Sequence, residues 1–265
     1  MQIFVINLDR NPVRWQRMAG LLAGLDCQRI VAVDGKNLDG PEYNDPAKRG
    51  SYEGLSRFNR ACILSHRAAC ETFLAGDGRH ACILEDDIFF SPHFADFIRD
   101  ESWIPTDADL VKIETTQQEV LVSTKTIACL DRTISVLLSL HFGTGAYIVS
   151  RRGAQKILEL TESPLSTIDT TLFGRRGLKA LRPVYQMYPA PCIQASHRAD
   201  GMIFPEMEST IQPKIVANNF SAPVKNKFWN KIEREFTRPF RQLQKKIAAA
   251  RLRLLRLRRC RVPFA

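Results

Sequence analysis

Ala81-Cys82-Ile83-Leu84-Glu85-Asp86-Asp87 is an apolar run of strand length that ends in three consecutive acids. It follows the turn signal Gly76-Asp77-Gly78 and reads as a buried parallel strand, because a strand covered on both faces shows a continuous apolar run without polar alternation. The acids then emerge at its carboxyl end, the edge at which open α/β sheets bind ligands. Carboxylates packed this closely repel one another. A divalent cation with a preference for oxygen would relieve the repulsion while gripping a diphosphate. Glu85-x-Asp87 is therefore a candidate metal–nucleotide site, and a strand running into an acidic surface loop is the plainer alternative.

Working outward, residues 3–7 read as a first buried strand, and Asn11-Pro12 supplies an N-cap and a first-turn proline for a helix reaching about Leu25. Arg10, Arg14 and Arg17 fall in the loop and first turns of that helix. Cations there oppose the helix dipole, so they either serve a ligand such as a diphosphate or simply face solvent. Residues 28–33 form a second strand that turns out at Asp34-Gly35, and the polar segment 36–55 is long enough to be a substrate loop. Ser56 caps a helix carrying Cys62, Ser65 and His66, and Ser91-Pro92 opens another. A lone histidine on such a helix is ordinarily structural.

Residues 109–113 read as a strand, and residues 120–140, rich in Val, Ile and Thr, as short strands or a hairpin. Gly143-Thr144-Gly145 then leads into the strand 146–150. Its two small residues suit either close backbone approach to a ligand or the turn itself. Ser150 can cap the next helix. Asp169 stands near the start of a later one, where an acid commonly serves the helix. Residues 183–188 form the last strand.

The chain of 265 residues has room for one large α/β domain or two small ones. Its seven cysteines form no C-x-x-C pair, and several lie in apolar runs, which favours reduced thiols and a reducing compartment. No secretion signal is visible, and no apolar stretch approaches the roughly 20 residues of a bilayer span. The net charge of +10 is unevenly placed: residues 225–262 hold fourteen Lys and Arg against Glu233 and Glu235, a local excess of +12, which leaves about −2 elsewhere. The basic balance thus belongs to a tail and gives no reason to expect specific nucleic-acid binding.

Within the tail, Trp229, Ile232, Phe236, Phe240, Leu243, Ile247, Ala250, Leu254 and Leu257 recur every three or four residues. They form one apolar helical stripe, interrupted at Pro239 and flanked by Lys and Arg. Such a stripe fits an anionic membrane interface, or packing on the body. The expected division is a domain over residues 1–215 and a basic amphipathic helical tail over 216–265.

Taken in order, Phe4-Val5-Ile6-Asn7-Leu8-Asp9-Arg10 with Arg14, Val33-Asp34-Gly35, Cys62-Ile63-Leu64-Ser65-His66, Ile83-Leu84-Glu85-Asp86-Asp87, Gly143-Thr144-Gly145-Ala146-Tyr147-Ile148-Val149-Ser150, Ile168-Asp169 and Gln194 resemble glycosyltransferase family 25. That family includes lipooligosaccharide β-galactosyltransferases and collagen galactosyltransferases. The resemblance implies a GT-A type α/β fold, a Rossmann-like mostly parallel sheet flanked by helices. It implies Mn²⁺ or Mg²⁺, a UDP-sugar donor, UDP-galactose foremost, and inverting transfer of the hexose to a lipid-linked glycan of lipooligosaccharide type. A transferase for another UDP-sugar and a catalytically silent sugar-nucleotide or membrane-binding protein are the alternatives.

Carried over residue by residue, Asp87 and Glu85 are the metal ligands, with Asp87 the more direct. Asn7, Arg10, Arg14, Asp34, His66, Glu85 and Asp86 surround the donor, and Asp169 is the general base. One departure stands out, because Phe58-Asn59-Arg60-Ala61 occupies the place of the family's Gly-Glu-x-Gly run. The expected location is the cytoplasm, peripheral on the inner face of the cytoplasmic membrane, with residues 225–262 against anionic lipid.

Overall fold

The computed structural model describes residues 1–38, 55–198, 250 and 252–265. Its strands are β1 (Gln2–Asn7), β2 (Cys27–Val31), β3 (His80–Glu85), β4 (Ile88–Phe90), β5 (Leu110–Lys112), β6 (Glu114–Thr115), β7 (Glu119–Cys129), β8 (Arg132–Leu137), β9 (Ala146–Ser150), β10 (Val184–Tyr188), β11 (Cys192–Gln194) and β12 (Leu257–Arg261). The helices are α1 (Pro12–Leu21), α2 (Arg57–Ala75), α3 (Phe94–Arg99), α4 (Arg151–Leu160), α5 (Ile168–Phe173) and α6 (Arg175–Ala180). Nine strands form one sheet in the order β12-β7-β8-β10-β5-β9-β3-β1-β2, and a smaller sheet has the order β4-β11-β6. In the large sheet β1, β2, β3, β5, β7 and β10 point one way and β8, β9 and β12 the other.

The continuous apolar character of the central strands follows from cover on both faces. Phe4, Ile6 and Ile83 pack with Ile63, Phe73 and Ile157 of α2 and α4, whereas Ile3, Val5, Cys82 and Leu84 pack on the opposite face with Met18 and Leu22 and with Phe97 of α3. Alternate residues thus enter two cores, each filled from a different set of helices. A fully buried side chain of this size contributes about 1.5–3 kcal/mol, so the β1–β3 layer anchors everything attached to its ends.

Helix starts follow their capping chemistry in two places. Ser56 Oγ accepts from the Asn59 amide at 3.2 Å, and Ser150 Oγ from the Gly153 amide at 3.1 Å. At α1, Pro12 occupies the first turn as expected, but the Asn11 side chain makes no capping bond and the helix ends at Leu21. Ser91 does not open α3 either; its hydroxyl accepts from Arg132 at 3.0 Å.

The tail departs most from the sequence reading. Residues 36–38 are described and the rest of the expected 36–55 loop, but for Leu55, lies outside the described residues, as does the apolar stripe from Trp229 to Ile247. Leu257, expected to close that stripe, instead begins β12, which pairs antiparallel with β7. Val262 beyond it is fully buried, its carbonyl accepts from Thr115 Oγ1 at 2.6 Å, and the Ala190 amide donates to the Pro263 carbonyl at 2.9 Å. Residues 257–265 therefore belong to the body, and 216–265 is not a separate tail throughout. Among the described residues, no helix is long and apolar enough to cross a membrane.

Candidate active site

A cleft of about 640 Å³ opens at the carboxyl ends of β1 and β3, where the chain passes from β2 on one side of β1 to β3 on the other. That reversal of strand order is where open α/β sheets leave a crevice. The β1–β3 register sets Ile6 opposite Glu85, so Asn7 and Asp86 lie side by side just beyond it. Asn7 Nδ2 donates to Asp86 Oδ2 at 2.6 Å and to the Asn11 carbonyl at 3.1 Å, while Arg14 Nη1 donates to Asp86 Oδ1 at 3.0 Å. Burial pushes the Asp86 carboxyl up, against the pull of Arg14 and Asn7. This acid ties α1 to the strand ends. The arginine that opposes the helix dipole has a protein carboxylate as its reason.

Glu85 and Asp87 lie in contrasting surroundings. Glu85 Oε1 faces His66 Nε2 at 3.3 Å and accepts from the Thr144 hydroxyl at 3.0 Å, and its Oε2 accepts from Gln194 Nε2 at 3.0 Å. Burial raises Glu85, but His66, Thr144 and Lys112 outweigh it and hold the carboxyl below its ordinary value. Among the described residues, the side chain of Asp87 has one long hydrogen bond, from the same Gln194 amide, 3.4 Å to Oδ1. Burial, followed by the charges of Glu85 and Asp86, pushes it up to about 7.

One amide thus touches both carboxylates, so the two acids converge although they are two residues apart. An all-oxygen pair with acceptor capacity left on Asp87 fits a hard cation such as Mn²⁺ or Mg²⁺. Cys62, His66 and Glu85 also bring donor atoms within 4.8 Å of one another. Burial, with the charges of Glu85, Asp169 and Asp87, pushes the Cys62 thiol well above its usual range, which opposes the thiolate that a soft cation needs.

Across the cleft, Asp169 stands in the first turn of α5 and divides its oxygens. Oδ1 accepts from the Thr170 amide at 2.8 Å and from the Thr167 hydroxyl, which is the helix-start duty expected of it, while Oδ2 accepts from the Gly143 amide at 3.3 Å. Arg10 lines the same cleft and donates to Asp34 Oδ2 at 2.7 Å. Of the residues expected around a ligand, Arg10, Arg14, His66, Glu85, Asp86, Asp87 and Asp169 line the cleft directly. Asn7 supports Asp86 from behind, and Asp34 acts on the wall through Arg10. His66 is also structural, since its Nδ1 meets the Tyr147 hydroxyl at 2.9 Å.

In sequence Thr144 is part of a glycine turn and Gln194 a fragment of a pattern, yet both hold Glu85. A one-letter sequence carries no signal for such contacts beyond the nearness of a polar residue to a glycine turn. Gly143, at φ +84°, needs the conformational freedom of glycine. Gly145 needs the space, because a Cβ there would lie 2.7 Å from Gln194 and Glu114. The close approach that the second small residue allows is thus to protein side chains. Phe58, Asn59 and Ala61, which replace the Gly-Glu-x-Gly run, also line the cleft.

The model of glycosyltransferase family 25 (LPS biosynthesis protein) matches residues 1–172. Lacto-N-neotetraose biosynthesis glycosyltransferase LgtB of Neisseria gonorrhoeae is 30% identical over 155 residues, 55% of this chain and 56% of that protein. Lipooligosaccharide biosynthesis protein lex-1 of Haemophilus influenzae is 26% identical over 151 residues, 53% of this chain and 50% of that protein. The chain spans about half the length of these curated relatives. A solved structure, of a glycosyltransferase involved in the glycosylation of the major capsid of PBCV-1, aligns at TM-score 0.42 and 10% identity over 73% of this chain and 92% of that one.

Proposed function

Because the chain belongs to glycosyltransferase family 25, we propose that it is an inverting transferase that moves a hexose from a UDP-sugar, UDP-galactose foremost, to a hydroxyl of a lipooligosaccharide-type glycan. The observation that carries this reading is the convergence of Glu85 and Asp87 on one amide at the mouth of the cleft, with Asp169 on another wall. Asp87 and Glu85 would hold Mn²⁺ or Mg²⁺, whose chemistry there is to neutralise charge on a departing diphosphate.

Arg14 and Asp86, held from behind by Asn7, form a polar floor, and Arg10, held by Asp34, one rim; these groups would bind and orient the donor. Asp169 Oδ2 is the general base that takes the proton of the acceptor hydroxyl as its oxygen attacks the anomeric carbon. Inversion needs no covalent nucleophile, and this set of side chains supplies carboxylates and no Ser-His-Asp arrangement. The basic residues of 225–262 are proposed to meet an anionic membrane that carries the acceptor, which would place the protein peripherally on the cytoplasmic face. The replaced run Phe58-Asn59-Arg60-Ala61 bears on which sugar or acceptor fits.

The test is a panel of UDP-sugars with Mn²⁺, scored by UDP release and then by acceptor screening. Release from UDP-galactose supports the reading, release from a different donor moves it to another hexose, and release from none overturns it in favour of a silent binding protein.

A further inference from the structure

Beneath the cleft lies an ion pair that none of these roles uses. Lys112 ends β5 and Glu114 opens β6, and both side chains are fully buried. Lys112 Nζ donates to Glu114 Oε1 at 2.6 Å and to the Gly143 carbonyl, and lies 4.1 Å from the centre of the Phe173 ring in α5. Glu114 Oε1 also accepts from the Gly145 amide at 2.9 Å. The pair therefore grips both ends of the Gly143-Thr144-Gly145 turn, one by its carbonyl and the other by its amide.

From its free side the same turn reaches two of the three functional carboxylates, Asp169 and Glu85. The Gly143 amide donates to Asp169 and the Thr144 hydroxyl to Glu85. Stability does not explain the charges, because burying two ions costs several kcal/mol each, and apolar residues of similar size commonly stabilise a fold as well or better. What a buried pair supplies that an apolar pair cannot is directional hydrogen bonding to named backbone groups. Glu114 Oε2, buried without a hydrogen-bond partner among the described residues, adds to the cost of keeping the acid there.

We propose that Lys112 and Glu114 are positioning residues, a buried clamp that fixes the Gly143–Gly145 turn and, through it, sets the carboxylates of Glu85 and Asp169 relative to each other. The clamp is a claim about geometry, and it bears on catalysis only through the transferase reading above.

The test replaces both charges together, Lys112→Met with Glu114→Met, so that no ion is left unpaired. A clamp predicts faster hydrogen exchange at the Gly143 and Gly145 amides, with protection kept in β1 and β3. It also predicts a fall in kcat of about 10- to 100-fold, as for other residues that orient a site from behind, with little change in donor KM. A folded double variant with wild-type exchange at the turn and wild-type kcat overturns the proposal. Lys112→Met with Glu114→Gln, which keeps an acceptor for the Gly145 amide and removes the donor to the Gly143 carbonyl, is the second variant should the double Met replacement fail to fold. Faster exchange at the turn supports the clamp, and exchange equal to wild type overturns it. Exchange is read without substrate, so it decides the clamp even if no donor is turned over.

Discussion

At the carboxyl end of β3, three acids are packed among donors supplied by β1, α1, α2, the glycine turn and β11, whereas at the far edge of the sheet β12 lays Arg259 and Arg261 exposed along β7. The first region buries polar groups at a cost and turns their carboxylates toward a cleft. The second buries little besides Val262, and its backbone pairing closes an edge. Removing a side chain at the first should damage chemistry more than folding, and removing one at the second should do the reverse.

The largest effect belongs to Asp87→Ala. Transfer at limiting Mn²⁺ should fall to background while the thermal midpoint stays or rises, since a buried carboxylate with one long contact adds nothing to the fold. Unchanged turnover at limiting Mn²⁺ would break the contrast at its strongest point. Next comes Asp169→Asn, for which kcat should drop by about 10²- to 10⁴-fold with donor affinity largely kept; weakened UDP and Mn²⁺ binding at equilibrium would instead make Asp169 a binding residue.

At the other edge, Val262→Ala should lower stability by about 2 kcal/mol in denaturant titrations and leave kcat unchanged. A loss of kcat at full stability would show that the two regions are not separable. A separate effect appears in metal-free protein held in chelator. Asp87 is raised to about 7 from 3.8, so between those values the folded state holds a proton that the unfolded state has released. Stability should decline as pH rises through that window, and Asp87→Asn should flatten the decline.

Much of the fold could be read before the structure because its signals are local. The apolar run before Glu85, the Ser56 and Ser150 caps and the Val-Ile-Thr hairpin each depend on neighbours within a few residues. Pairings across the chain were not legible in the same way. Lys112 and Glu114 alternate with apolar neighbours just as an exposed strand face would, and nothing local reveals that both point inward at a turn thirty residues later. Leu254 and Leu257 keep helical spacing, yet the backbone partner waiting at β7 decides for strand at Leu257. A cut after Pro223, which the helical-tail reading would spare, removes β12 and Val262 and should cost the body stability. In the site, the acids and arginines were visible as residue types. Which acid is saturated and which is starved of donors depends on Gln194, more than a hundred positions away.

The pairing of β12 with β7 also bears on how the chain folds. Thr124 donates to the Arg256 carbonyl across a separation of 132 residues, so this contact closes a loop containing β8, β9, β10, β11 and the helices α4, α5 and α6. Contacts that distant form late, because the entropy of loop closure is lost before the contact returns anything. During synthesis and early folding, β7 therefore stands as an open strand edge with its amides and carbonyls unpaired. In that interval the nearest competing partner is the same edge on another copy, which makes refolding yield fall with protein concentration and ties the solubility of the nascent protein to the arrival of β12.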